Sequence, residues 1–233
     1  MRIATWNMQG NAYNGDCSTL TEVKARMIRE DIDVFCLQES GNFFGSISAE
    51  CWNRIFPEYE FYVARNMQIG TSSRGILVNV YYVAYGKENL RCSMAIIVKS
   101  ELDTGKAAIT YINPNLRPVI GVLLNDNTAV YNIHAPSGNH NFAASVTYCF
   151  LQEIQDFKLK YNIDNYVLIG DFNCPPDVMK KNVTYANKTH YADEATQNSG
   201  ACLDYCIASI SPQNMYINKN AAFSDHRQVV MDF

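Results

Sequence analysis

The sequence has no apolar run approaching the ~20 residues that a helix needs to cross a bilayer, which argues against a helical membrane protein. It also lacks a surplus of basic charge. Its 19 Lys and Arg stand against 23 Asp and Glu, for a formal net charge of -4 and a pI near 5.6. Broad, sequence-blind adhesion to polyphosphate is therefore disfavoured, because it needs an extended positive surface. An enzyme that grips a single phosphodiester stays open, since a few arginines and a metal ion supply the local field. No CxxC occurs, and the eight cysteines (17, 36, 51, 92, 149, 174, 202 and 206) are scattered, with Cys202 and Cys206 the one close pair. Zinc spacing is thus absent. Buried reduced thiols are favoured over disulfides, with Cys36 in VFCLQ and Cys149 in TYCFLQ inside apolar runs. The opening MRIATWNMQG reads as a polar-interrupted strand, so no signal peptide is expected in the chain as given.

Repeats, low-complexity tracts and linkers are missing as well, and 233 residues at 48% hydrophobic and 18% charged are expected to form one domain over 1–233. What fills the chain is a series of short β-branched or aromatic runs separated by polar turns. Strands are expected at 2–7, 33–38, 60–64, 77–84, 93–99, 107–112, 118–124, 129–134, 166–169, 203–208 and 228–232. Two segments carry helical periodicity. The first, 19–30, places Leu20, Val23 and Met27 on one stripe behind Ser18 as an N-cap; the second, 141–161, aligns Phe142, Val146, Phe150, Ile154 and Phe157. The polar stretch 175–200 reads as a surface excursion. The result is a β-rich α/β fold.

Chemistry-bearing residues gather where apolar runs end: Asn7 in TWN, Glu39 in CLQES, His134 in YNIHAP, Asp171 and Asn173 in IGDFN, Asp204 in LDY, Asp225 and His226 in FSDH. Singly, each has an ordinary reading: a turn Asn, a helix-start acid, a structural histidine, a Ser-Asp cap. Together they supply oxygen ligands and two histidines at strand ends, which is what metal-assisted phosphoryl chemistry requires.

The ordered set TWN, QE, IHA, GDFN, LDY and SDH resembles the endonuclease/exonuclease/phosphatase superfamily, which includes pancreatic-type deoxyribonucleases, abasic-site endonucleases, neutral sphingomyelinases and inositol-phosphate phosphatases. That resemblance implies a four-layered α/β sandwich of two packed mixed β-sheets flanked by helices. ATWNMQG, LQESG, VNVYYVAYGKENLRCSMAIIVKS, RPVIGV and TQNSGACLDYCIA are similar, over nearly the whole chain, to the catalytic (CdtB) components of cytolethal distending toxins. Carried over motif by motif, the resemblance implies a metal site at Glu39, Asn7 and Asp225 for Mg²⁺, or Mn²⁺ or Ca²⁺. It implies that Asp171 and Asn173 handle the attacking water and a phosphate oxygen, that His226 pairs with Asp204, and that His134 is the second acid/base group. Arg91 and Arg117 match the two arginines that the toxin family places near the phosphate.

Two departures bear on substrate. Pancreatic-type nucleases support the equivalent of His134 with a second glutamate, for which no counterpart is evident here, and the stretch NKNAAFSDH is short and weakly basic beside the toxin components. Slow DNA cleavage is expected in place of fast digestion. The family reading implies secretion, carrier or receptor-binding subunits, delivery into host cells and action in the nucleus. A phosphoinositide or sphingomyelin headgroup enzyme of the same fold is the alternative, and a binding module that has lost its chemistry is a third reading.

Overall fold

The structure is a computed structural model that describes residues 1–10, 17–42, 47–56, 59–71, 73, 75–85, 90–183, 188–219 and 224–233, the side chains of 17–20 and 49 apart. The Ser18 cap and the place of Leu20 lie outside the described residues. In chain order the elements are β1 (Arg2–Asn7), α1 (Cys17–Arg29), β2 (Val34–Gln38), β3 (Trp52–Phe56), β4 (Phe61–Ile69), β5 (Ile76–Val83), β6 (Met94–Lys99), β7 (Asp103–Thr110) and β8 (Val119–Leu124). They continue with β9 (Thr128–His134), α2 (His140–Tyr161), β10 (Asn165–Asp171), α3 (Pro176–Asn182), β11 (Thr189–His190), β12 (Asp204–Ala208), β13 (Asn214–Asn218) and β14 (Gln228–Asp232).

An eight-stranded sheet runs β13-β14-β1-β2-β6-β5-β4-β3, and a six-stranded sheet runs β11-β12-β10-β9-β8-β7. Both are mixed: β1 with β2 and β9 with β10 are parallel, and the other pairs are antiparallel. Side chains alternate across each strand, which sorts them into three apolar layers. Ile3, Val34, Cys36, Ile96 and Val98 face Ile120, Val130, Val167, Ile169 and Cys206 between the sheets. Ala4, Trp6, Phe35 and Leu37 turn outward to Val23 and Met27 of α1. Tyr131, Leu168 and Ile207 turn outward to Phe150, Leu151 and Ile154 of α2 and Met179 of α3. Four layers follow, helix, sheet, sheet and helices, as the sandwich reading required.

The second helix begins at an Asn139 side chain that accepts the Phe142 N–H, and it ends at Asn162, whose φ of 52° places it in the left-handed region. Its buried face is Ala143, Val146, Thr147, Phe150 and Ile154. Phe142 does not join it and is 48% exposed. An i,i+4 row precesses by about 40° per step, so a row centred on Phe150 has left the sheet by Phe142. Cys149 is exposed for the same rotational reason, while Cys36, Cys174 and Cys206 are buried, and all seven described cysteines are free. The described residues of 175–200 are more than a surface excursion, since they include α3, β11 and a fully buried Thr196. Among the described residues no helix is long and apolar enough to cross a membrane.

Candidate active site

The alternation that fills the space between the sheets with apolar side chains ends in polar ones at a shared rim. Along β9 the inward positions run Val130, Asn132, His134; along β10 they run Val167, Ile169, Asp171; β12 enters with Asp204 facing the same way. Parallel pairing sets Asp171 beside His134, and antiparallel pairing sets it beside Asp204. Three adjacent strands therefore deliver His134, Asp171 and Asp204 as one row. Gly170 makes the approach of β9 and β10 possible, because a Cβ there would lie 2.0 Å from the Ile133 carbonyl oxygen.

The opposite sheet closes the cleft. Asn7, last in β1, donates from Nδ2 to Asp171 Oδ2 at 2.9 Å and accepts the Gln9 N–H at 3.0 Å. Glu39 follows β2 with a φ of 45°, and Asn173 has a φ of 48°. Backbone in this region is costly for a non-glycine residue and gathers at functional sites. The turn at Glu39 is held by hydrogen bonds from Gly10 N to Glu39 O at 2.7 Å and from Ser40 N to Ser93 O at 2.8 Å. Asn173 is fixed by its N–H on Asp171 Oδ1 at 2.8 Å and by Nδ2 on Ala135 O at 2.9 Å. The Ser224–His226 segment is stitched to the end of β1. Ser224 Oγ donates to Asn7 O at 2.7 Å, Asp225 N to Gln9 Oε1 at 3.1 Å, and Trp6 Nε1 to His226 O at 3.1 Å.

Asp171 lies between the two histidines, its Oδ2 3.7 Å from His134 Nε2 and 3.9 Å from His226 Nε2. His226 Nδ1 meets Asp204 Oδ2 at 2.8 Å. Burial alone would lower the His226 pKa, but the hydrogen bond and charge of Asp204, with Asp171 and Asp225 beyond, outweigh it and raise the group to about 9. Burial and the charge of Asp204 push Asp171 up to about 7, against the pull of His226, Asn7 and the Asn173 N–H. His134 is driven well below 6.5, by burial first and then by the positive charges of Arg117, His226 and Arg91. Its Nδ1 has no hydrogen-bond partner among the described residues.

The two arginines stand at this end of the cleft but are engaged. Arg91 Nε donates to Glu39 Oε2 at 2.8 Å, its stem lying over Gly10, where a Cβ would come within 2.7 Å of Arg91 Cγ. Arg117 Nη1 donates to Ala135 O at 2.9 Å and reaches His134 O at 3.4 Å. A hard cation fits the donor set. Among the described residues Asp225 Oδ1 is buried without a hydrogen-bond partner, and the Glu39 carboxylate already faces a guanidinium where positive charge is wanted. Asp171, Asp204 and His226 bring ligand atoms within 4.8 Å of one another. That proximity is largely the hydrogen-bonded His226–Asp204 pair itself.

Sequence reading passed over the floor of the cleft. Gln38 Nε2 donates to Asn132 Oδ1 at 2.7 Å and to Thr5 Oγ1 at 2.9 Å, and Asn132 Nδ2 donates to Leu37 O and Ala95 O, both at 2.9 Å. A lone Asn in the apolar run AVYNIH was the available signal. Thr196 and Gln197, which border the Asp204–His226 pair, carried none beyond their place in TQNSGACLDYCIA.

Two packed mixed sheets whose common rim gathers His, Asp, Asp, His and oxygen ligands define a phosphoesterase of the hydrolytic, metal-dependent class. The chain belongs to the Endonuclease/Exonuclease/phosphatase family, whose model matches residues 4–226, and it is a hydrolase of phosphoric ester bonds. It is similar to CdtB, the B component of the cytolethal distending toxin of Escherichia coli, at 25% identity over 219 residues, 90% of this chain and 79% of the relative. Among solved structures, CdtB, the biologically active subunit of cytolethal distending toxin, superposes with a TM-score of 0.78 at 21% identity, covering 99% of this chain and 96% of that one. The Haemophilus ducreyi cytolethal distending toxin gives 0.73 at 20% identity, with 99% and 97% covered. Truncated Caenorhabditis elegans TDP2 gives 0.61 at 13%, with 100% and 97% covered. At such identities these structures speak to the fold, and the family motifs speak to the chemistry.

Proposed function

We propose that the chain is a toxin-type, Mg²⁺-dependent deoxyribonuclease that hydrolyses DNA phosphodiester bonds, with residues 1–233 acting as one catalytic domain. The carrying observation is the His134–Asp171–Asp204 row on three adjacent strands, faced by His226. Glu39, Asn7 and Asp225 would hold the cation, Mg²⁺ or in its place Mn²⁺ or Ca²⁺, which when bound would polarise a phosphoryl oxygen. Asp171, tied to Asn7 and to the Asn173 N–H, orients the attacking water, and Asn173 holds a phosphate oxygen. His226, kept protonated by Asp204, faces the charge that develops at phosphorus. His134, neutral and buried, exchanges a proton on the other side. Arg91 and Arg117 supply the positive field that the net charge does not.

The toxin likeness extends the proposal to carrier or receptor-binding subunits, secretion, and delivery into host cells with action in the nucleus. The acidity of the chain favours a second reading, hydrolysis of a phosphoinositide or sphingomyelin headgroup, because a duplex rewards basic surface and a single headgroup does not. Relaxation of supercoiled plasmid in Mg²⁺, beside a His134→Gln variant and a phosphoinositide phosphate-release assay, separates them. Nicking lost in the variant is expected. Phosphate release without nicking transfers the enzyme to the headgroup reading, and silence in both assays returns it to a binding module.

A further inference from the structure

The cleft holds a carboxamide that none of these roles uses. Gln197 sits in the loop between β11 and β12, and that loop is zipped to the segment carrying His226. Gln197 and His226 form an isolated antiparallel bridge, Asn198 N donates to Asp225 O at 2.8 Å, and Arg227 N donates to Thr196 O at 2.7 Å. The loop also holds the other member of the pair. Thr196 Oγ1, fully buried, accepts the Leu203 N–H at 2.9 Å and the Asp204 N–H at 3.0 Å. From this doubly anchored backbone the Gln197 side chain reaches Asp225 Oδ2 at 3.4 Å and His226 Nε2 at 3.3 Å, while its Oε1 accepts from Ser199 Oγ at 2.7 Å.

The bond lengths are unequal in an informative way. On its acceptor side the carboxamide makes a short bond. On its donor side both contacts exceed the roughly 2.7–3.2 Å of a well-formed N–H bond. Turning the amide over would set its oxygen against the Asp225 carboxylate, and that repulsion places the NH₂ on this side, where it meets the His226 Nε2–H as a second donor. With Nδ1 held by Asp204, His226 also presents Nε2 there. Two nitrogens 3.3 Å apart can share one oxygen at about 2.9 Å from each.

We infer that Gln197 is a substrate-contacting residue whose Nε2, together with His226 Nε2, holds one non-bridging oxygen of the scissile phosphodiester. This rests on the nuclease reading of the same site. A neutral carboxamide adds a fixed donor beside the histidine without adding charge, and a preplaced donor aimed at a phosphoryl oxygen lowers the barrier without reorganising as charge builds.

The test uses a DNA duplex carrying one phosphorothioate of defined Rp or Sp configuration, with cleavage at that bond read against its neighbours. The parent chain, Glu39→Gln, Gln197→Met and Gln197→Asn are compared in Mg²⁺. Cleavage by the parent and not by Glu39→Gln establishes the nuclease reading. Gln197→Met is expected to lose about 10²- to 10³-fold in kcat, with little change in KM and an unchanged melting temperature. In the parent one diastereomer is slowed more than the other, and Gln197→Met removes that difference. Gln197→Asn, retracted by one methylene, reports the same cycle if the Met variant does not fold. Equal thio effects in parent and variants, or full activity in Gln197→Met, overturn the inference and leave the nuclease reading intact. A parent that cuts no DNA overturns both.

Discussion

The two histidines of the cleft are the same side chain in nearly the same degree of burial, 2% exposed for His134 and 6% for His226, yet they are placed in opposite charge states. His226 has Asp204 on Nδ1 and is raised to about 9; His134 has nothing on Nδ1 among the described residues and is held well below 6.5. Burial penalises the cation at both positions. At His226 the hydrogen bond and charge of Asp204, with Asp171 and Asp225, outweigh that penalty, while at His134 the positive neighbours Arg117, His226 and Arg91 add to it.

The largest effects should come from removing either ring. His134→Gln and His226→Gln are each expected to cut plasmid nicking by about 10²- to 10⁴-fold, and they should part in thermal melts. His226→Gln leaves the fully buried Asp204 without its cation and should destabilise by about 3 kcal/mol. His134→Gln breaks no hydrogen bond at Nδ1 among the described residues, and its neutral ring makes only 3.7 Å contacts with Glu39 and Asp171, so it should melt near the parent. Equal melting losses would break the comparison. A smaller effect should follow from Asp204→Asn, read by NMR of the imidazoles in the metal-free chain. The His226 titration should fall from about 9 toward its ordinary 6.5, and His134, relieved of part of the His226 charge, should move up by less. An unmoved His226 would mean that Asp204 does not set its charge.

The smallest effect is on stability against pH. A folded pKa near 9 means that the His226 contribution is complete below 6.5 and is lost as pH climbs toward 9. Asp171, raised to about 7 from 3.8, has the same sign over a lower window. His134, lowered, contributes fully above 6.5 and loses its contribution as pH falls through its folded value. Urea midpoints should show His226→Gln flattening the alkaline limb and His134→Gln flattening the acid one. The reverse assignment would overturn the proposed charge states.

The strands that sequence reading found and those it missed divide by position. Interior strands such as β1, β9 and β14 were legible to within a residue, because burial on both faces writes a continuous apolar run. The missed strands β13, β3 and β11 all lie at sheet edges, where half-exposed stretches such as WNRIF and NMYIN carry no clear period. The remaining edge strand, β7, was found with its start displaced from Asp103 to Ala107. The cleft residues were legible because each breaks an apolar run at its end. Gln197 was not, since a polar residue in a polar loop breaks nothing, and the Arg91–Glu39 contact joins positions 52 apart that no local pattern connects.

The Thr5–Gln38–Asn132 cluster beneath the cleft carries a further consequence. Two sheets held by apolar contact alone can slide over one another at little cost, because dispersion and hydrophobic attraction have no preferred direction. Asn132, rooted in one sheet, donates to two main-chain carbonyls of the other and accepts from Gln38, and such bonds weaken steeply when misaligned. The cluster therefore works as an index pin. It sits directly below Asn7 and His134 along their own strands, so the halves of the catalytic set that arrive on different sheets are aligned from a point one residue pair away.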